Sequence, residues 1–179
     1  MQQRSLIGNT TIQKYALRPK PQQLTGVLIS LLMSIVPVAL VAAIGSYTTM
    51  PHIMGWYLGL NKPTFSPPNW IFGPAWTLLY ALMILACYRL IRAPHSVLRT
   101  QSLVFFAIQL ALNALWSPTF FAMHSPLYGL IVITFLWFSI LFCILFFGRV
   151  DRIAVICFIP YYGWVSFAAI LNASIWWLN

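Results

Sequence analysis

The chain has 179 residues, of which 61% are hydrophobic and only 6% are charged. Soluble domains are about a quarter charged, so this composition cannot cover a water-exposed surface. The net charge of +9 comes from Lys and Arg residues scattered at the ends of apolar segments, without the long basic run that is typical of nucleic-acid binding. The sequence therefore predicts an integral, multi-pass membrane protein that contacts lipid and not nucleic acid.

The hydropathy pattern divides the chain into a tail and five spans. Residues 1–23 are polar and basic, and we predict a tail there. A bilayer core of about 30 Å needs roughly 20 apolar residues per helix. Residues 24–179 hold five such segments and predict an all-α bundle of five transmembrane helices, at about 24–47, 69–91, 101–123, 126–147 and 153–178. The first and fourth spans contain no amide side chain, and we interpret them as lipid-facing or packing helices.

The distribution of basic residues predicts how the bundle is oriented. With five spans, the tail and two loops lie on one side of the membrane and carry nine Lys and Arg residues, whereas Lys62 alone lies on the other side. Basic residues favour the cytoplasmic side of a membrane. We therefore predict that the N-terminus lies inside and the C-terminus outside.

The stretch from Trp56 to Tyr80, WYLGLNKPTFSPPNWIFGPAWTLLY, combines three of the eight tryptophans with four of the twelve prolines. Prolines fix the backbone and remove hydrogen-bond donors, so they predict a stiff, extended loop over residues 56–68. Two interpretations of the aromatic residues remain open. They form an interfacial belt, or they cover and line a pocket for a flat apolar ligand.

In the third span, polar and small side chains fall on opposite faces of the predicted helix. The polar face consists of Gln109, Asn113 and Trp116. Amides are costly in hydrocarbon, so we expect this face to point into the bundle. The small face consists of Ala107, Ala111 and Ala114. It suits close helix packing, either as a dimer face against a second subunit or within one monomer.

In the fifth span, large aromatic residues and an amide flank a small residue on one face. That face consists of Tyr161, Trp164, Ala168 and Asn172, which lie within about 80° on a helical wheel. We interpret Ala168 as a notch in which a flat ring fits. Trp176 and Trp177 at the end of the span are typical of an aromatic belt.

The sequence shows none of the residue patterns used for acid–base, nucleophilic or phosphate chemistry. Its histidines, His52, His95 and His124, lie far apart in or near loops, and we interpret them as solvated rather than as metal ligands. We therefore predict no metal site. Asp151, the one acidic residue, either caps the helix that follows it or pairs with Arg149 or Arg152.

Four motifs in this sequence resemble those of the TspO/MBR family, the tryptophan-rich sensory proteins and translocator proteins. They are W-Y-x-x-L-x-K-P at 56–63, P-P-x-W-x-F-G-P-x-W-T-x-L-Y at 67–80, L-N-x-x-W-S at 112–117 and P-Y-x-x-W-x-x-F-A-x-x-L-N at 160–172. The resemblance covers about residues 24–179 and implies a five-helix bundle, usually a homodimer, with a pocket beneath the first loop.

The resemblance also implies a ligand and its site. Members of the family bind protoporphyrin IX and haem as ligands, and no tightly bound cofactor is expected. Carried over by motif, the ligand-binding positions are Tyr57, Trp76, Asn113, Trp116, Trp164, Ala168, Leu171 and Asn172. Animal members carry a sterol-associated Tyr and Arg after the last L-N motif. Both are missing here, which argues against high-affinity sterol binding.

Three functions remain open on this basis. The leading hypothesis is a membrane receptor, sensor or translocator of a tetrapyrrole. The second is a catalyst of light- and oxygen-dependent porphyrin degradation, in which Trp76 and Trp164 flank the bound ring. The third is a structural membrane interaction protein whose working surface is the alanine face of the third span.

Overall fold

A computed structural model describes residues 21–179, with side chains from residue 24 onward, so most of the predicted tail of residues 1–23 lies outside the described residues. Within that range the chain forms five long helices and no strands. They are α1 (Pro21–His52), α2 (Phe72–Arg92), α3 (Val97–Ser117), α4 (Pro126–Phe147) and α5 (Arg152–Leu178). All five are long and apolar enough to cross a membrane, as the sequence predicts.

The five helices form a closed ring in which α1 packs against α2, α2 against α5, α5 against α4, α4 against α3, and α3 against α1. A large apolar core fills the middle of the ring, centred on residues such as Met83, Ile140 and Phe158. A smaller cluster lies at one end and consists of Tyr57, Phe120, Phe121, Leu171 and Ile175. The first loop, residues 60–68, lies at this same end.

Helix α1 is longer than the sequence predicts. Thr48, Thr49 and Pro51 suggest a loop, but the helix continues to His52 and then through a π-helical turn at Ile53–Tyr57. The Thr48 hydroxyl donates to the carbonyl of Ile44, 2.8 Å away, so the polar side chain is satisfied inside the helix. The extended loop predicted for residues 56–68 therefore begins only after Gly59. A second π-helical turn, Pro118–Ala122, extends α3 in the same way.

Side-chain caps define the start of α3, α4 and α5. Ser96 and Ser125 each accept a hydrogen bond from a backbone N–H three residues later, at 3.1 and 3.3 Å. Asp151 accepts from the N–H of Ala154 at 3.0 Å, which confirms the capping interpretation. Its ion-pair partner is not Arg149 or Arg152, however, but Arg89 at the end of α2, with a shortest N–O distance of 2.6 Å. Arg89 is far from Asp151 in the sequence and comes close to it only in the folded bundle.

We expect the contribution of Asp151 to stability to depend on pH. The hydrogen bond from Arg89 holds the pKa of the Asp151 carboxyl below its ordinary value. Since the folded-state pKa is lowered, this stabilisation is present above the unfolded pKa of about 3.9 and is lost as the pH falls through the folded value. Asp151→Asn keeps a capping oxygen but loses the ion pair. It should lower the melting temperature in detergent at pH 7, and the difference from the wild type should close as the pH falls through the lowered pKa of the folded-state Asp151 carboxyl.

Asp151→Ala is the matched control because it removes the cap as well as the ion pair. It should destabilise the bundle by about 1 kcal/mol more than Asp151→Asn, and this additional loss should persist in acid. Identical melting curves for the wild type and Asp151→Asn at pH 7 would contradict a stabilising role for the ion pair.

Candidate ligand-binding site

A cavity of about 450 Å³ lies between α1, α2, α3 and α5, at the end of the bundle that carries the first loop. Cavities of about 300–1,000 Å³ are typical of small-molecule sites. No charged side chain lines it among the residues that the structure describes. Its surroundings therefore favour a ligand whose main body is apolar.

Four aromatic rings form one side of the cavity, which we call the aromatic wall. Trp76 stacks on Tyr80 one turn later in α2, with ring centroids 5.5 Å apart. Trp116 of α3 lies 6.3 Å from Trp76 and stacks on Phe120 at 5.7 Å. Aromatic rings bury a large area and favour offset stacking, so the aromatic wall is suited to a flat conjugated ligand.

The side chain of Asn113 is bonded between two helices. Its Oδ1 accepts from the Tyr80 hydroxyl at 3.1 Å, and its Nδ2 donates to the hydroxyl of Tyr161 on α5 at 2.8 Å. Asn113 lines the cavity, but these bonds are made within the protein and fix the ring of Tyr80. Gln109, one turn earlier, is fully buried as predicted, although its amide has no hydrogen-bond partner among the described residues.

Asn172 plays a similar part on α5. Its Oδ1 accepts from the indole N–H of Trp116 at 3.3 Å, and its Nδ2 donates to the carbonyl of Pro126 at 2.7 Å. It therefore holds one ring of the aromatic wall and ties the start of α4 to α5. A buried amide with both ends bonded stabilises a single arrangement of its neighbours.

Helix α1 supplies a smooth, small-residue side of the cavity that the sequence analysis missed. The residues concerned are Ala42, Gly45, Ser46 and Thr49. The Ser117 hydroxyl of α3 donates to the carbonyl of Gly45 at 3.1 Å and is also hydrogen-bonded to Thr49. These small residues recur at i, i+3, i+4 and i+7, a spacing that indicates a helix face packed against another helix. A helix that faces only lipid does not require small residues on one face.

The first loop is fastened to the C-terminal end of α5. The backbone N–H of Asn61 donates to Oδ1 of Asn179, and Nδ2 of Asn179 donates back to the carbonyl of Asn61, both at 3.0 Å. Lys62 donates to the carbonyls of Leu58 and Leu60 and lies 4.6 Å from the ring centroid of Tyr57. These contacts hold the loop beside Tyr57, which lines the cavity.

The structure brings most of the motif-derived positions together at the cavity. Those that line it are Tyr57, Trp76, Asn113, Trp116, Ala168, Leu171 and Asn172. Trp164 is the exception, because its ring packs edge-on against Phe72, a lining residue, with centroids 5.8 Å apart. Its indole N–H is buried without a partner in the described part of the chain.

Some residues that line the cavity were not among the predicted site residues. Tyr80, Phe120 and Phe121 are the clearest cases. Tyr80 was visible one helical turn after Trp76, at the end of the second motif. Phe120 and Phe121 follow Pro118 in the π-helical turn, and a simple helical pattern does not show which way they point.

The fold and the cavity together define a class: an α-helical membrane protein whose bundle encloses an uncharged, aromatic cavity of ligand size. Comparison with known proteins gives the family. The TspO/MBR family model matches residues 33–178, which is most of the chain. The chain therefore belongs to the TspO/MBR family.

Individual relatives agree with this assignment. The tryptophan-rich protein TspO of Archaeoglobus fulgidus is 39% identical over 85% of this chain and 98% of its own length. Protein CrtK of Rhodobacter capsulatus is 41% identical over 69% of this chain and 78% of its own length. The translocator protein of Sus scrofa is 30% identical over 76% of this chain and 85% of its own length. Similarity thus extends to both microbial and animal members.

Proposed function

We propose that this protein binds a tetrapyrrole, protoporphyrin IX or haem, in the cavity and acts as a membrane receptor, sensor or translocator of it. The observation that carries the proposal is the aromatic wall, which borders an uncharged cavity lined by residues of all four family motifs. A planar macrocycle would gain stacking and apolar burial there. The main role of Asn113 and Asn172 would be to hold the rings of Tyr80 and Trp116 in place through hydrogen bonds.

A titration of the detergent-purified protein with protoporphyrin IX tests this proposal. Tryptophan fluorescence should be quenched to saturation. Trp116→Ala should weaken binding by about tenfold or more, because it removes a ring of the aromatic wall and a stacked pair is worth about 0.5–1.5 kcal/mol beyond its buried area. Trp164→Ala should have a smaller effect, since Phe72 separates it from the cavity.

Trp177→Ala is the matched control, because this exposed tryptophan lies at the end of α5 and does not line the cavity. Its affinity for protoporphyrin IX should equal that of the wild type. Equal affinities for the wild type and Trp116→Ala would contradict the proposed site.

A second candidate function, light-dependent degradation of the bound porphyrin, is favoured by the position of Trp76. Its oxidisable indole borders the cavity and lies within 6.3 Å, centroid to centroid, of Tyr161 as well as Trp116. The oxidant would be dioxygen, activated by the excited porphyrin. Illumination in air should then replace the porphyrin absorbance with new bands, and Trp76→Phe should slow this change more than it weakens binding.

We further propose that the protein forms a homodimer through the small face of α3. Ala107 and Ala111 are exposed on the outside of the bundle, whereas Gln109 and Asn113 on the opposite face are buried. Ala114, the third residue of the small face, is half-buried and packs against the core of its own bundle. Ala111→Leu should shift the protein from dimer to monomer in detergent, measured by light scattering, because a larger side chain prevents close helix approach. Binding of protoporphyrin IX should be retained. A dimer that survives Ala111→Leu unchanged would place the interface elsewhere.

A further inference from the structure

Two histidines that are far apart in the sequence meet at the end of the bundle that carries the first loop. Nε2 of His124 and Nδ1 of His52 lie 2.9 Å apart and share a hydrogen bond, although the residues are 72 positions apart. His52 ends α1, and His124 lies in the turn between α3 and α4. In the sequence both residues are typical of separate, solvated loop side chains, and only the folded bundle brings them together.

The imidazole of His124 packs against an aromatic ring on one of its faces. It stacks on the ring of Trp56, with centroids 4.8 Å apart and an interplanar angle of 18°. Its backbone has a φ of 50°, in the left-handed region that few residues other than glycine adopt. Trp56 in turn packs against Phe120 at 5.5 Å. The pair is therefore partly preorganised, and preorganisation lowers the entropic cost of binding.

The spacing of the two nitrogens fits a metal ion. Two imidazole nitrogens bound to one ion at about 2.0–2.1 Å, with an angle of about 90–109° between them, stand about 2.8–3.4 Å apart. The observed separation of 2.9 Å lies within this range. In the present hydrogen bond one of these two nitrogens carries the proton. Metal binding would move that proton to the other nitrogen of the same ring, and both rings would turn so that their free lone pairs point at the ion. Neutral imidazole is a preferred ligand of Cu²⁺, Ni²⁺ and Zn²⁺.

We propose that His52 and His124 form a binding site for a divalent transition-metal ion such as Cu²⁺ or Zn²⁺, independently of the ligand in the cavity. Among the described residues no group of three or more His, Cys, Asp and Glu is placed to hold a metal, so water completes the coordination. His124 is exposed and His52 half-buried, which leaves the pair open to ions from solution. A bound ion would join the end of α1 to the turn between α3 and α4.

Metal titration of the full chain, purified without a histidine tag, tests the site. Isothermal calorimetry with Cu²⁺ and separately with Zn²⁺ should show one saturable site per chain. His52→Gln and His124→Asn should each weaken that site at least tenfold. Asn is chosen at position 124 because it tolerates a left-handed backbone better than most residues. Unchanged melting temperatures of the metal-free variants would show that both still fold.

His95→Ala is the matched control, because His95 lies in the loop before α3, where its Nδ1 contacts Arg99 instead of a second histidine. It should leave metal affinity unchanged. Electron paramagnetic resonance of the protein with one equivalent of Cu²⁺ should show coupling to two imidazole nitrogens. Absence of saturable binding in the wild type would overturn the proposal. Wild-type affinity in both His52→Gln and His124→Asn would overturn it equally.

Discussion

Replacing Gly129 with alanine is expected to destabilise the bundle by about 1–3 kcal/mol, the usual cost of overpacking a well-filled interior. A Cβ at this position in α4 would lie 2.8 Å from Cδ2 of Phe120, 2.9 Å from its Cβ and 3.0 Å from Oδ1 of Asn172. Because the Cβ of Phe120 sits next to the backbone, it cannot move away cheaply. The added methyl group would therefore displace both Phe120 of the aromatic wall and the Asn172 amide that accepts a hydrogen bond from Trp116.

Gly163→Ala is the matched control for this substitution. Gly163 lies within α5, and a Cβ there would meet no heavy atom within 4 Å. Alanine favours a helix over glycine by about 1 kcal/mol, so this variant should be as stable as the wild type or slightly more stable. Thermal unfolding in detergent measures both. Equal melting temperatures for Gly129→Ala and Gly163→Ala would show that α4 and the π-helical turn are not in close contact.

Replacing Ala168 with phenylalanine is expected to weaken binding of protoporphyrin IX by tenfold or more. Ala168 is a small, buried residue that lines the cavity from α5. A phenyl ring at this position would project into the cavity of about 450 Å³ and take the place of part of the ligand. Stability should change little, because the added side chain fills empty space instead of displacing packed neighbours.

Ala81→Phe serves as the control for Ala168→Phe. Ala81 is exposed in the middle of α2 and does not line the cavity, so the same substitution there should leave affinity and stability unchanged. Fluorescence titration and thermal unfolding of the two variants give the comparison. Wild-type affinity in Ala168→Phe would show that the ligand does not occupy the notch in α5.

Much of the fold could be predicted because membrane helices are defined by length and apolar composition. The predicted limits of the fourth span, 126–147, coincide with α4, since Ser125 caps a segment that begins with Pro126. The end of α1 could not be predicted in this way. Thr48, Pro51 and His52 are typical of a loop, and only the folded bundle shows that the Thr48 hydroxyl has hydrogen-bond partners in the carbonyl of Ile44 and the hydroxyl of Ser117.

The candidate site could also be predicted only in part from the sequence. Helical spacing placed Asn113, Ala168 and Asn172 on inward faces, and the structure places all three at the cavity. Trp164 shares that face on a helical wheel but lies behind Phe72, because the wheel does not show what the neighbouring helix contributes. The pairing of His52 with His124 depends on how α1 packs against the turn after α3, and no local pattern encodes that distance.

A structure of the protein determined with protoporphyrin IX would show directly whether the ligand occupies the cavity. We expect the macrocycle in the cavity, with one face against Trp76 and Trp116 and an edge in the notch at Ala168. The contacts between Asn61 and Asn179 should be retained in that complex. A macrocycle bound on the outer, lipid-facing surface, with the cavity empty, would show that the cavity is not the tetrapyrrole site.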